Sequence, residues 1–202
     1  MTWKTQKPHK SGTLQAAIED FKTAACRQVA QAYLSLLEKE HGAIPAKNGV
    51  DLSGFAAVMP DLVLTAITVP DRCVYRLAGE NMKRRVGLDP IGRNYYDFVP
   101  EERRAQAARA MNMVVEIPCA FRAEIEQSYS DGRARNIEAI ALPLRSEEPE
   151  VDGFILFGDR EFETSDRIFN DGVTLLGANV LRRDLIDLGF GVDDSFEDIV
   201  PG

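Results

Sequence analysis

The sequence predicts an α+β fold in which helices cover one face of a single five-stranded antiparallel sheet. Two short apolar segments, Leu62–Val69 and Cys73–Ala78, flank the turn residues Pro70 and Asp71, and this pattern indicates a hairpin. A region of helical periodicity follows, and three further strand-like segments then succeed one another at 119–129, 133–144 and 151–158. Consecutive strands with short connections favour one antiparallel sheet with helices inserted after its first hairpin.

The helices are predicted from apolar periodicity and from the residues that end it. A long helix should run from Thr13, its N-cap, to Glu40, since apolar residues recur at steps of three and four and Gly42 follows. Shorter helical segments and a second long helix complete the prediction: Leu52–Met59, Glu80–Val86, an aromatic turn at Tyr95–Val99, a helix from Pro100 to Pro118, and a last helix at Ser165–Leu188.

These elements divide the chain into one central domain with flanking segments. The predicted organisation is a flexible N-terminus (1–12), an N-terminal helix region (13–45), the domain itself (46–162), a C-terminal helix (163–190) and an acidic tail (191–202). The N-terminal helix would be about 40 Å long at 1.5 Å per residue. It could either lie across its own core or form a dimer or partner surface through Ile18, Phe21, Ala25, Val29 and Leu36.

Composition and charge exclude several classes of protein. The chain has 202 residues, 45% of them apolar, which suits a globular domain. The net charge of −8 argues against nucleic-acid binding. No apolar run reaches the roughly 18 residues of a membrane span, so we expect no membrane insertion. The polar N-terminus lacks the apolar core of a signal peptide.

Three cysteines, Cys26, Cys73 and Cys119, are too few and too widely spaced for a disulfide framework or a zinc site. Reduced, buried thiols in a cytoplasmic protein are the expectation, with no metal bound.

Catalytic motifs are missing from the sequence. It contains no nucleophile elbow, zinc-protease motif or phosphate-binding loop, and both histidines, His9 and His41, lie outside the predicted core. Strand residues Glu124 and Glu138 are interpreted as a solvated face with arginine partners such as Arg122, and helical basic clusters at 83–85 and 103–104 as solvent faces. We therefore expect no catalytic residues, although a small enzyme with unrecognised chemistry remains an alternative.

Four segments carry a resemblance to a known superfamily. The strand that ends in Val74-Tyr75-Arg76-Leu77-Ala78-Gly79, the glycine-flanked link Val86–Arg93, the aromatic lead-in Tyr96–Pro100 and the last strand Gly153–Gly158 stand in the order found in PAS domains. Over about 52–160 the chain therefore resembles the PAS sensor superfamily. With its leading long helix it looks most similar to a subgroup of short, stand-alone bacterial proteins.

The resemblance implies a regulatory protein that binds a small molecule or a protein partner and signals through its flanking helices as a homodimer. An interaction scaffold of the same fold without a ligand is the alternative. The implied pocket lies between the inner sheet face and the short helices, lined by Tyr75, Arg76, Tyr95, Tyr96, Phe98, Met111, Phe121, Ile140 and Phe154. Arg76 could instead form a structural salt bridge. The cysteine motif of flavin-binding members and the inner-helix histidine of haem-binding members are not matched, so neither a flavin adduct nor haem is expected.

Overall fold

The computed structural model describes residues 3–162, 173 and 175–201. The helices in this part are α1 (Leu14–Ala17), α2 (Ala24–Lys39), α3 (Glu80–Val86) and α4 (Glu101–Glu116). The strands are β1 (Trp3–Gln6), β2 (His9–Thr13), β3 (Leu62–Thr68), β4 (Arg72–Ala78), β5 (Ala120–Tyr129), β6 (Ala134–Arg145), β7 (Gly153–Glu161), β8 (Leu175–Asp187) and β9 (Asp198–Pro201). Turns of 3₁₀ helix occur at Lys47–Gly49, Leu52–Asp61 and Tyr95–Phe98.

The main sheet contains seven described strands in the order β2-β8-β5-β6-β7-β3-β4. Its run β5-β6-β7-β3-β4 consists of the five strands that the sequence predicts, all antiparallel to their neighbours. The α+β class is therefore confirmed, while the predicted count of five strands is too low. Strands β1 and β9 form a separate antiparallel pair.

The two extra strands correct the predictions for the chain ends. Residues 175–187 form β8 rather than a helix, because the open edge of β5 offers unpaired backbone groups that β8 satisfies along its length. The predicted flexible N-terminus supplies β1 and β2, and the predicted acidic tail supplies β9. The part of the predicted C-terminal helix at 165–172 and 174 lies outside the described residues.

The predicted N-terminal helix is interrupted. Thr13 caps the short helix α1, but Phe21 adopts an extended backbone, and Thr23 caps a new helix by accepting a hydrogen bond from the backbone N–H of Cys26. The interruption turns the Phe21 side chain into the core, where it is only 2% exposed.

Helices cover both faces of the sheet, and not one face as predicted. Helix α2 packs on the outer face of β6 and β7, and α4 packs on the inner face of the same strands. The predicted partner residues Ile18, Phe21, Ala25 and Val29 are buried in this chain's own core, and Leu36 is partly buried against it. That predicted docking surface is therefore wrong, and the alternative that the helix lies across its own core is what the structure shows.

A buried ionic network joins the N-terminus of α2 to the outer sheet face. Glu138 is fully buried, and its carboxylate accepts hydrogen bonds from the backbone N–H groups of Lys22 and Thr23 at 2.9 and 2.7 Å. Arg122 donates to Glu138 at 2.7 Å and to Asp184 of β8 at 3.1 Å. The arginine partner of Glu138 was predicted correctly, but the solvated setting was not, because α2 covers this face.

We expect Gly79→Ala to destabilise the fold because Gly79 lies against the backbone. A Cβ at this position would overlap the carbonyl oxygens of Met59 and Pro60. The Gly79 N–H also donates to the Leu62 oxygen at 2.7 Å, so the backbone cannot move away freely. Urea unfolding should show a loss of about 1–3 kcal/mol. Gly54→Ala is the matched control, since a Cβ there meets nothing within 4 Å; equal losses in both variants would contradict the close approach.

Glu138→Gln should destabilise by about 3 kcal/mol, because it removes one partner of a buried ion pair. Both carboxylate oxygens of Glu138 accept hydrogen bonds, so a glutamine must turn its NH₂ group towards at least one donor. Urea unfolding measures the effect, with the exposed Glu150→Gln as the control, expected within about 0.5 kcal/mol of the unsubstituted protein. Equal stabilities of the two variants would mean that the network contributes nothing.

Candidate functional site

A cavity of about 150 Å³ lies between the inner sheet face and the layer formed by α3, the Tyr95–Phe98 turn and α4. Each of the five strands β3, β4, β5, β6 and β7 contributes lining residues, and β8 extends the wall. The lining residues are Val63, Thr65, Cys73, Tyr75, Met82, Val86, Tyr95, Phe98, Val99, Pro100, Arg103, Gln106, Ala107, Met111, Phe121, Ala123, Ile125, Gln127, Ala139, Phe157, Asp159, Leu175, Ala178, Val180, Arg183 and Asp198.

Aromatic rings form one wall of the cavity. The Tyr75 ring meets the rings of Tyr95 and Phe98 edge to face, with centroid separations of 6.4 and 6.0 Å. In such edge-to-face pairs the edge of one ring contacts the face of the other. The remaining apolar surface of these rings lines the cavity. The opposite side, from α4 and β5, includes Met111 and Phe121.

Two buried arginines lie at one end of the cavity. Arg183 of β8 donates through Nε to both carboxylate oxygens of Asp198, at 3.2 and 3.0 Å. Its guanidinium lies 4.1 Å from the centre of the Phe121 ring, a cation–π contact. Both residues of this ion pair are about 95% buried.

Arg103 of α4 is the second of these arginines, and its partners are neutral. It donates to the Ile199 backbone oxygen at 2.9 Å and to the Asn179 side-chain oxygen at 3.3 Å, and it stacks on Trp3 at 4.4 Å. Burial lowers the pKa of Arg103, and the nearby Asp198 opposes that shift. Within the described part of the chain no carboxylate pairs directly with it.

The charge of a third buried arginine, Arg85, is balanced by an ion pair. Arg85 of α3 pairs with Asp159 of β7, which lines the cavity. The side chain of Arg85 is 2% exposed, so the predicted solvent face at 83–85 holds for Arg84 and not for Arg85.

The structure brings five of the nine predicted pocket residues together. Those that line the cavity are Tyr75, Tyr95, Phe98, Met111 and Phe121. Those that do not are Arg76, Tyr96, Ile140 and Phe154.

Strand alternation explains most of these corrections, because neighbouring residues of a strand face opposite sides. Tyr75 faces the cavity, so Arg76 faces outward, where it is exposed and approaches Glu148 at 3.8 Å. Ile140 and Phe154 pack on the outer face with α2. Tyr96 is buried beside α4, outside the cavity.

Sequence reasoning missed Arg103, Arg183 and Asp159. Arg103 stands next to the exposed Arg104, and the pair suggested a solvated helix face. Arg183 falls in the segment for which the sequence predicts a helix. In the structure, Val180 and Arg183 lie in β8 opposite Ile125 and Ala123 of β5, with a bulge between them. Residues 175–187 show no regular alternation of polar and apolar residues, so the sequence carried no clear signal for this strand.

Burial keeps the Cys73 thiol and the Tyr95 phenol of the wall in their neutral forms. Burial raises the pKa of the Cys73 thiol from its ordinary 9.0 to about 12. Burial, with Cys73 nearby, also raises the pKa of Tyr95 to about 12. Cys73 is therefore a neutral thiol and a poor nucleophile at neutral pH.

The remaining chemistry in the described residues is sparse. His9 and His41 are exposed and lie outside the cavity. The described residues contain no cluster of metal-ligating side chains. No helix in the described part is long and apolar enough to span a membrane.

Comparison with known proteins identifies the family. A family model described as PAS domain matches residues 22–156, more than half of the chain. The chain therefore belongs to the PAS-domain family, as the resemblance predicted. Its place in a stand-alone bacterial subgroup stays a prediction. Curated proteins give no match.

Several solved structures are similar to this chain at low identity. A Rhodobacter sphaeroides LOV protein is 17% identical, with 57% of this chain and 70% of that chain covered and a TM-score of 0.41. A PAS domain from Colwellia psychrerythraea is 16% identical, covering 55% and 97%, with a TM-score of 0.38. Vibrio cholerae VqmA, in a complex with ligand and DNA, is 20% identical, covering 56% and 52%, with a TM-score of 0.38.

The buried thiols and phenols predict that stability falls with alkaline pH. The pKa values of Cys73 and Cys119 rise from 9.0, and those of Tyr95 and Tyr129 from 10.0, all to about 12 by burial. The unfolded chain releases these protons first, so their contribution is complete below about pH 9 and lost progressively towards pH 12. Each group should cost about 1.4 kcal/mol per pH unit within this window.

Urea unfolding at about pH 8 and about pH 10.5 measures this slope. Cys73→Ala should reduce the pH dependence of the free energy of unfolding by the contribution of one group. The free energy of unfolding of the variant at about pH 8 is the reference for its value at about pH 10.5. A slope that does not change in the variant, or alkylation of Cys73 in the folded protein, would show that the thiol is not held neutral.

Proposed function

We propose that this PAS-domain protein is a non-catalytic sensor that binds a small molecule in the cavity and passes the bound state to a protein partner. The single observation that carries the proposal is the 150 Å³ cavity between the sheet and α4. A water molecule needs only about 10–15 Å³ of such volume, and an apolar cavity of about 150 Å³ is known to hold a benzene ring. The volume therefore suits a molecule of about one ring.

The lining of the cavity supports binding of an organic molecule. Aromatic and aliphatic side chains form most of the wall, and a few polar groups, such as Gln127 and Arg183, stand among them. Ligand sites in proteins combine these two features, since apolar area supplies affinity and a few polar groups fix orientation.

The output route runs through elements outside the five-stranded core. Asp198 of β9 and Arg183 of β8 both line the cavity, and β9 pairs with β1. Helix α2 is anchored to β8 through Glu138, Arg122 and Asp184. A ligand that shifts β8 would therefore act on both chain ends, which carry the exposed apolar residues Trp3, Leu176 and Phe190.

The state of the titratable groups near the cavity favours a non-catalytic role. The Cys73 thiol is neutral, Asp159 and Asp198 are engaged by arginines, and the histidines lie elsewhere.

A ligand-free interaction scaffold is the second candidate. The observation that favours it is the same small volume, because apolar cavities of about 150 Å³ can also remain empty in water.

Native mass spectrometry of the purified protein, compared with the denatured sample, distinguishes the two candidates. We expect a mass surplus of a small organic molecule that disappears on denaturation. The same spectrum reports whether the chain is a homodimer. No surplus, together with no binding of ring-sized compounds, would reject the sensor and favour the scaffold.

Ala139→Leu should reduce the retained molecule, because Ala139 faces the cavity and the larger side chain fills it. Ala56→Leu is the matched control, since Ala56 is exposed and distant from the lining. Retention that is equal in both variants would place the molecule outside the cavity.

A further inference from the structure

One end of the cavity carries more positive than negative charge. Arg103 and Arg183 both line this end, whereas Asp198 is the carboxylate that approaches them. Asp159, the other carboxylate of the lining, is paired with Arg85, which is not itself a lining residue. Two arginines and one carboxylate therefore remain at this end, an excess of one positive charge among these described groups. A buried charge without a counter-ion is costly, and a bound anion would lower that cost.

The hydrogen bonds at this end are also incomplete. The Nη1 atom of Arg183 and the Nε atom of Arg103 are buried and have no partner among the described residues. The two side chains are 5% and 8% exposed, so bulk water does not compensate them. Guanidinium groups bind carboxylates through strong, charge-assisted hydrogen bonds, which makes an anion the complementary ligand.

The Tyr95 phenol lines the same cavity as the two arginines. Its pKa is raised by burial and by Cys73, while Arg183 and Arg103 act in the opposite direction. The hydroxyl is a donor at neutral pH. Beyond it, the rings of Tyr75 and Phe98 and the side chain of Met111 leave apolar surface.

We propose that the ligand is a ring-sized monocarboxylate, with its carboxylate bound by Arg103, Arg183 and Tyr95 and its ring packed against Tyr75, Phe98 and Phe121. This inference rests on the proposed function and specifies its ligand class. A single excess charge matches a carboxylate, whereas a phosphate monoester carries about −1.5 to −2 at pH 7 and would remain undercompensated.

Isothermal titration calorimetry of the full chain at neutral pH, with four ring-sized probes, tests the inference. Benzoate should bind about 10- to 100-fold more tightly than its neutral analogue benzamide, the range expected for hydrogen bonds to a charged group. Phenyl phosphate should bind more weakly than benzoate, and benzylammonium should not bind measurably.

Variants of Arg103 identify the group responsible. Arg103→Met keeps the apolar stem and should bring the benzoate and benzamide affinities to within about threefold of each other. Arg103→Lys keeps the charge and should retain part of the preference. Because Arg103 also holds β9 through Ile199, benzamide binding and thermal unfolding of each variant monitor the fold. If Arg103→Met does not fold, the affinities of the four probes for the unsubstituted protein and for Arg103→Lys still show whether an anion is preferred.

The outcomes distinguish failure of the anion inference from failure of the proposed sensor. Benzamide binding as tightly as benzoate would overturn the anion inference and leave the sensor intact. A retained molecule without an acidic group would do the same, and a retained carboxylic acid would support the inference even if benzoate binds weakly. If nothing is retained and none of the probes binds, both proposals fail.

Discussion

The arrangement of this molecule depends on the buried carboxylate of Glu138. It accepts two backbone N–H groups where α2 begins, and it binds Arg122, which in turn holds Asp184 of β8. The Glu138 carboxylate thus accepts the free N–H groups at the start of α2, and it pairs with Arg122, which connects β5, β6 and β8. A buried charge is tolerated only when such partners surround it. The network fixes how α2 lies on the outer face and where β8 joins the sheet, and both affect the cavity on the other side.

Alternation along the strands separates these two layers of chemistry. On β5, Arg122 faces outward to the ionic network while Phe121 and Ala123 face the cavity; on β6, Glu138 faces outward while Ala139 faces inward. The outer face is held by charge and by α2. The inner face is apolar and covered by α4. A change of one residue in register would exchange the two layers, so the ionic network and the cavity constrain the same pairing.

The core strands could be predicted from sequence because local signals agree with tertiary structure there. Apolar β-branched segments are bounded by turn residues such as Asp131 and Gly132, and five strands were located within a few residues of their observed ends. The chain ends could not be predicted in this way. Residues 175–187 fit a helical spacing, and only the open edge of β5 determines that they form a strand.

The pocket prediction failed at Arg76, Ile140 and Phe154 for a related reason: it selected residues by type and did not impose alternation. Arg103 was missed because burial of one of two adjacent arginines is decided by β9 and Trp3, which are distant in sequence.

The cavity is completed by residues that the family match does not include. The PAS-domain model ends at residue 156, yet Arg183 and Asp198 come from β8 and β9, beyond that limit. The aromatic wall, with Tyr75 and Phe98, belongs to the matched region. The region that matches the family model therefore supplies most of the apolar cavity wall. The segment that follows it supplies Arg183 and Asp198, and with them much of the charge of the wall. Because Asp198 belongs to β9 and pairs with Arg183, an anion that competes for Arg183 would weaken one of the contacts that hold β9 in place. In the proposed sensor, ligand binding would therefore act on β9 and, through the β1–β9 pair, on β1.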